Sequence, residues 1–135
     1  LNLKKNRNFL HKMIYRIREK KIRVSLFIEP RIADINISKE LGADCVELHT
    51  GKYCNMFNKK KGIKSEYQKI KNSADHAKNI SLEVHAGHGL TYETANKISN
   101  IRSISEFNIG HFIIAESIFI GLKNVITRFK KIINK

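Results

Sequence analysis

The 135-residue chain has no tryptophan, one proline, two cysteines and no apolar run close to the length of a membrane span. A transmembrane helix needs about 20 consecutive apolar residues, so no spanning segment and no membrane partner are predicted. Cys45 and Cys54 are too few for a disulfide framework and do not have CxxC spacing. We therefore expect free thiols in a reducing compartment, which predicts a cytoplasmic location.

Acidic residues are scarce, because 12 Asp and Glu stand against 26 Lys and Arg and give a net charge of +14. Such a charge attracts polyanions. However, the excess is carried by lysine in a chain equally rich in Ile and Asn, which is the composition that an AT-rich genome encodes. The densest basic run, "NKKKGIK" at 58–64, has no interleaved aromatic residue and is expected to be a solvated loop. Nucleic acid is therefore not the expected partner; the alternative predicts affinity that falls steeply with salt.

Four short runs rich in Val, Ile or Phe predict β-strands at 22–28, 44–49, 80–85 and 106–111. Apolar residues at helical spacing lie between and around them. The predicted helical faces are Phe9, Met13, Ile14 and Ile17; Ile32, Ile35 and Ile37, after Pro30 in the first turn; Ile63, Tyr67, Ile70, Ala74 and Ala77; and Ile114, Ile118, Leu122, Val125, Phe129 and Ile132. Alternating strands and helices predict an α/β fold with parallel strands.

Two architectures fit this order of elements: a small open doubly wound sheet, or part of a (β/α)8 barrel. A complete barrel needs roughly 250 residues, so four strand–helix units correspond to about half of one. The chain opens on "LNLKKN" without a methionine. We therefore expect a fragment of a longer protein that forms a single partial domain over residues 1–135.

Polar residues gather at the carboxyl ends of the predicted strands, where α/β folds build their sites. The segments "HAGHGL" at 85–90 and "NIGH" at 108–111 each place a glycine–histidine step before a helix. Glycines let backbone N–H groups approach an anion beside the positive end of a helix. Gly87, Gly89 and Gly110 therefore predict a phosphate cradle, with tight strand-to-helix turns as the alternative.

Two side chains are candidates for chemistry. His88 lies between two glycines, and a histidine can transfer a proton near neutral pH; a loop histidine bonded to the backbone is the alternative. Glu47 alternates with Val46 and Leu48, so it points to the opposite face, which is the lumen in a closed barrel. A carboxylate there is functional or is paired with a lumen cation.

A metal site is a further hypothesis. Histidines and one carboxylate suit zinc or iron. The set would be Glu47, His49, His85, His88 and His111. No HxH or HExxH spacing occurs among them, so a metal is not favoured.

Four segments, "VSLFIEP", "GADCVELHTGKY", "HAGHGLTYETANKI" and "EFNIGHFIIAESIFIGL", resemble the consecutive signature blocks of the pyridoxine 5'-phosphate synthase family of vitamin B6 biosynthesis. The resemblance covers the whole chain, and the combination of ELHTG, AGHGL and NIGH is specific. It implies a (β/α)8 barrel that assembles as an octamer and uses neither a cofactor nor a metal. The implied reaction condenses 1-deoxy-D-xylulose 5-phosphate with 3-amino-2-oxopropyl phosphate, giving pyridoxine 5'-phosphate, phosphate and water.

The resemblance also implies roles for individual residues. His88 corresponds to the proton donor, and Glu47 to a carboxylate that stabilises the transition state. Gly89, Gly110 and His111 correspond to the phosphate site for the amino ketone. The chain departs from the family at His85, where Asn is common, and in reading "SLFIEPR" where "SLFIDPD" is usual.

By this resemblance the chain is the C-terminal half of the barrel, strands five to eight. The catalytic histidine and glutamate and the arginines of the other half are not found in it, so we expect the isolated chain to be inactive. Lumen-facing residues such as Leu26 and Val84 are expected to be exposed and to cause self-association. The alternative function is a non-catalytic α/β module that binds a phosphate ligand.

Overall fold

The computed structural model of the protein describes residues 3–134. Four strands alternate with helices, as predicted. The strands are β1 (Ser25–Ile28), β2 (Cys45–His49), β3 (Glu83–Gly87) and β4 (Glu106–Asn108). The helices are α1 (Arg7–Glu19), α2 (Ile32–Glu40), α3 (Gly51–Asn58), α4 (Ile63–Asn79), α5 (Tyr92–Ile98), α6 (His111–Ile120) and α7 (Leu122–Ile133). None of these helices has the length and apolar character needed to cross a bilayer.

The four strands form one parallel sheet in the order β1-β2-β3-β4. Glu47 lies opposite Phe27 on one side and His85 on the other. Each strand therefore pairs with its neighbour in sequence, without the reversal of order that defines a doubly wound sheet. The α/β prediction is confirmed, and the sheet is compatible with half of a (β/α)8 barrel.

One face of the sheet is covered by helices and holds the core. Leu26, Val46 and Val84 lie on this face with 7%, 0% and 1% of their surface exposed, and α4 packs against β2 and β3. The prediction that Leu26 and Val84 face the lumen is therefore wrong. Leu26 and Val84 pair with Val46, so both share its face, opposite to that of Glu47. Buried in this way, they cannot drive self-association.

The helix predicted from Ile63 onward is confirmed: Ile70, Ala74 and Ala77 are fully buried, and Tyr67 packs partly against the core. Helix α3 was not predicted. The basic run forms an exposed loop only at 59–62, since its first residue ends α3 and its last two begin α4.

Three further expectations need correction. In α1 only Ile14 is buried, and Phe9 is 65% exposed. Pro30 lies outside α2, because Arg31 is the N-cap residue. Ile22 lies before β1 and is 58% exposed.

The last predicted helix is two helices, because Gly121 adopts φ 81° and ψ 145° and interrupts it. The chain folds back there, so that α7 packs against α5 and α6. As a result Val125 and Phe129 are buried, as predicted, whereas Ile114 and Ile118 are 65% and 79% exposed. Leu122 is also exposed, at 55%, and no residue of α6 is buried.

We predict that Gly121→Ala lowers the free energy of unfolding by about 1–3 kcal/mol, because this backbone region is nearly exclusive to glycine. Gly110→Ala is the matched control: neither glycine has a heavy atom within 4 Å of an added Cβ, and only Gly121 has a positive φ. Urea denaturation of both variants measures the difference. Equal stabilities would show that the break between α6 and α7 does not depend on glycine.

Candidate active site

A cavity of about 770 Å³ opens at the carboxyl ends of β2, β3 and β4. It is lined by all five residues to which a role was assigned: Glu47, His88, Gly89, Gly110 and His111. Its other lining residues are Phe27, Leu90, Thr91, Asn108, Ile109, Phe112 and Ala115. The structure thus brings the five residues to one place, while their chemical roles stay predictions.

The Glu47 carboxylate is held by a residue of another strand. Asn108 Nδ2, at the end of β4, donates a hydrogen bond of 2.7 Å to Glu47 Oε2. β3 lies between these strands, and Gly87 occupies the position over which the two side chains meet. A Cβ atom added to Gly87 would lie 2.1 Å from Glu47 Oε1 and 3.0 Å from the Asn108 carbonyl oxygen. The absence of a side chain at Gly87 therefore leaves room for this hydrogen bond, and Gly87, predicted from the sequence to be part of a phosphate cradle, is not among the residues that line the cavity.

His88 is exposed and has φ 76°, a left-handed conformation that is uncommon for residues other than glycine. Thr50, buried directly after β2, holds this turn. Its N–H donates to the Gly87 carbonyl at 2.9 Å, and its hydroxyl lies 2.8 Å from the same oxygen and 2.7 Å from the His88 carbonyl. The main chain of the turn is thus fixed from β2, and the imidazole projects into the cavity.

The start of α6 forms the opposite wall. Gly110 is its N-cap residue and supplies no side chain to the N–H groups of the first turn. Space beside Gly110 is open. His111, predicted at the end of a strand, is instead the first residue of α6, because the ladder with β3 ends where Gly87 pairs with Asn108.

His85 does not belong to the cavity. It is buried between two glutamates, with Nε2 3.0 Å from Glu83 Oε1 and Nδ1 3.5 Å from Glu106 Oε1. Hydrogen bonds from His85 and from Arg23 lower the pKa of Glu83. Within residues 3–134 no three His, Cys, Asp or Glu side chains converge as metal ligands, so the hypothetical metal set is not brought together.

The cysteines are buried, unpaired thiols, as predicted. Cys54 lies beneath the turn, with Sγ 3.9 Å from the His88 carbonyl oxygen, and burial raises the pKa of its thiol. A thiol in this condition is a poor nucleophile.

Comparison with known proteins shows the family. The profile of the family described as "Pyridoxal phosphate biosynthesis protein PdxJ" matches residues 1–135. The chain belongs to this family. It is 53% identical over its whole length to the pyridoxine 5'-phosphate synthase of Pelagibacter ubique (strain HTCC1062), covering 56% of that protein. The pyridoxine 5'-phosphate synthase of Sulfurihydrogenibium sp. (strain YO3AOP1) is 44% identical over 93% of the chain, which covers 51% of that relative.

The chain spans about half the length of the curated relatives it matches. Membership of the PdxJ family connects it with vitamin B6 biosynthesis. The activity of the complete relatives is therefore only a proposal for this chain.

In this PdxJ-family chain, we predict that Gly87→Ala displaces the Glu47 carboxylate and breaks its bond to Asn108. The free energy of unfolding should fall by about 1 kcal/mol or more, since one net hydrogen bond is lost and the Asn108 carbonyl, 3.0 Å from the added Cβ, must also shift. The Asn108 side-chain amide resonances in an NMR spectrum report the bond. Unchanged resonances, with Gly110→Ala as control, would contradict the steric argument.

We predict that His88→Asn leaves the free energy of unfolding unchanged within about 0.5 kcal/mol, because asparagine tolerates the left-handed region. Thr50→Val should lower it by about 1–3 kcal/mol, because the His88 carbonyl loses its hydroxyl partner. Urea denaturation compares the two. A larger loss for His88→Asn than for Thr50→Val would mean that the imidazole itself, rather than Thr50, stabilises the turn.

Proposed function

We propose that this chain is the C-terminal half, strands five to eight, of a (β/α)8-barrel pyridoxine 5'-phosphate synthase. The proposed reaction condenses 1-deoxy-D-xylulose 5-phosphate with 3-amino-2-oxopropyl phosphate to give pyridoxine 5'-phosphate, phosphate and water. The observation that carries the proposal is the single cavity that collects Glu47, His88, Gly89, Gly110 and His111.

Phosphate binding is supported by the wall formed by α6. An uncapped helix N-terminus presents N–H groups and a positive dipole to an anion. The open space beside Gly110 lets a phosphate approach the backbone, and Gly89 faces it from the β3–α5 turn. In the proposal, Gly89, Gly110 and His111 hold the phosphate of the amino ketone.

Proton transfer is assigned to His88 and charge stabilisation to Glu47. Condensation of an amine with a ketone passes through cationic species and expels water. An imidazolium can protonate the departing hydroxyl, and this type of catalysis contributes about 10²–10⁴-fold. A carboxylate fixed by Asn108 in advance stabilises developing positive charge without reorganising.

The proposed enzyme works in the cytoplasm as an octamer, with no cofactor, metal, nucleic acid or membrane. Its second phosphate site and remaining catalytic groups lie in the half that this chain does not contain. The chain alone should therefore bind a phosphate ligand without forming product. A purely phosphate-binding role, without catalysis, is the second candidate, since the residues of the amino-ketone phosphate site, Gly89, Gly110 and His111, all lie within this chain.

A chimera tests the proposal: this chain replaces the matching 56% of the Pelagibacter ubique relative, and the purified chimera receives both substrates. We expect pyridoxine 5'-phosphate to form. His88→Asn should lower kcat by about 100-fold or more, and Glu47→Gln should lower kcat more than it raises KM, because both groups act in the transition state.

His11→Asn on α1 is the matched control, because this histidine lies outside the cavity. The isolated chain, assayed in parallel, should give no product. A folded chimera that binds the amino ketone without turnover would support the binding module instead. Full turnover by the His88→Asn chimera would remove that residue from the mechanism.

A further inference from the structure

A third histidine lies beside the cavity and has no part in the proposed reaction. His49, the last residue of β2, is 26% exposed and does not line the cavity. Its Nδ1 is 2.8 Å from Oε1 of Glu29, which follows β1 directly. This hydrogen bond lowers the pKa of Glu29. A carboxylate only accepts, so the hydrogen of this bond is on His49 Nδ1.

The same imidazole contacts His88. The two ring centroids are 4.8 Å apart, with the planes at 64°. A Cβ atom added to Gly51 would lie 2.7 Å from His49 Nε2 and 2.9 Å from His88 Cδ2, so both rings border the space above that glycine. Glu29, His49 and His88 therefore form a continuous row across the ends of β1, β2 and β3.

The orientation of the His88 ring depends on contacts from other elements. Its sequence neighbours are glycines, which have no side chains to restrain a ring, and Thr50 fixes only the main chain of the turn. Among the residues that the structure describes, ring contacts to His88 come from His49 and, at 6.3 Å, from Phe27. Phe27 also contacts His49, with the ring centroids 5.1 Å apart.

We propose that Glu29 and His49 are positioning residues for His88: Glu29 fixes the tautomer and orientation of the His49 ring, and that ring directs the His88 imidazole into the cavity. The catalytic part of this proposal rests on the assignment of His88 as proton donor in the proposed function. The structural part does not, because it concerns only the arrangement of the two imidazoles.

The charge of Glu29 also matters. Two imidazolium ions at this separation repel each other. The Glu29 carboxylate places a negative charge beside the pair of rings, 2.8 Å from His49 Nδ1. Leucine in place of Glu29 removes both the acceptor and the charge, whereas aspartate keeps both on a shorter side chain.

The structural part is tested by long-range ¹H–¹⁵N NMR of the imidazoles in the ¹⁵N-labelled chain. We expect His49 to carry hydrogen on Nδ1, and the His88 ring signals to move in Glu29→Leu and His49→Phe. His76→Ala is the control, because His76 makes one side-chain hydrogen bond, to Asn36, away from the cavity. Unmoved His88 signals in both test variants, or a His49 Nδ1 without hydrogen, would overturn the proposal.

The catalytic part is tested in the chimera described above. Loss of orientation at a proton donor acts on the chemical step, so Glu29→Leu and His49→Phe should each lower kcat roughly tenfold with KM changed less than about twofold. Glu29→Asp should restore most of kcat. Unchanged kcat, or a change confined to KM, in variants that remain folded would overturn this role. A chimera that is inactive without any substitution would count against the proposed function alone, since the NMR result stands independently.

Discussion

The pairing of β2 with β3 is the constraint on which the site depends. Its register sets Glu47 beside His85 and His49 beside Gly87. A slip of one residue would turn Glu47 toward the helices and bring Val46 or Leu48 to the open face. It would also move Thr50 away from the carbonyls of the next turn. The carboxylate and the imidazole of the candidate site are therefore positioned by one ladder of backbone hydrogen bonds.

The convergence of the site residues could be predicted from the sequence. Parallel strands bring their carboxyl ends to one edge, so polar residues that follow different strands become neighbours. Glu47 and His88 were found in this way, and strand alternation gave the correct face for Glu47. Side-chain reach could not be predicted: nothing in the spacing indicates that Asn108 crosses β3 to bond Glu47, or that His49 turns toward Glu29. The sequence signal for the bond between Asn108 and Glu47 is the glycine at position 87, although the glycine spacing predicts instead a phosphate cradle or a tight turn there.

The errors in the predicted fold also arise from structural features that residue spacing does not reveal. Apolar positions continue at helical spacing through Gly121, so periodicity alone joins α6 and α7 although the backbone turns there. A glycine inside such a pattern is the one sequence signal that the helix can be interrupted there. Helix α3 has only eight residues and begins with glycine, so it offers too few turns for periodicity to detect, and it packs on α4. Placing Leu26 on the lumen was an error of parity, since its pairing with Val46 determines its face.

The bond between Glu47 and Asn108 makes the site depend on the smallest strand. β4 has three residues, and within residues 3–134 it pairs with β3 alone. Within these residues, a short strand held by one neighbour opens more readily than the rest of the sheet. Whenever β4 detaches, Glu47 loses its anchor while β1, β2 and β3 keep their shape. The position of the Glu47 carboxylate in this chain therefore depends on the docking of β4, so local opening of that strand would disrupt the candidate site before the rest of the sheet unfolds.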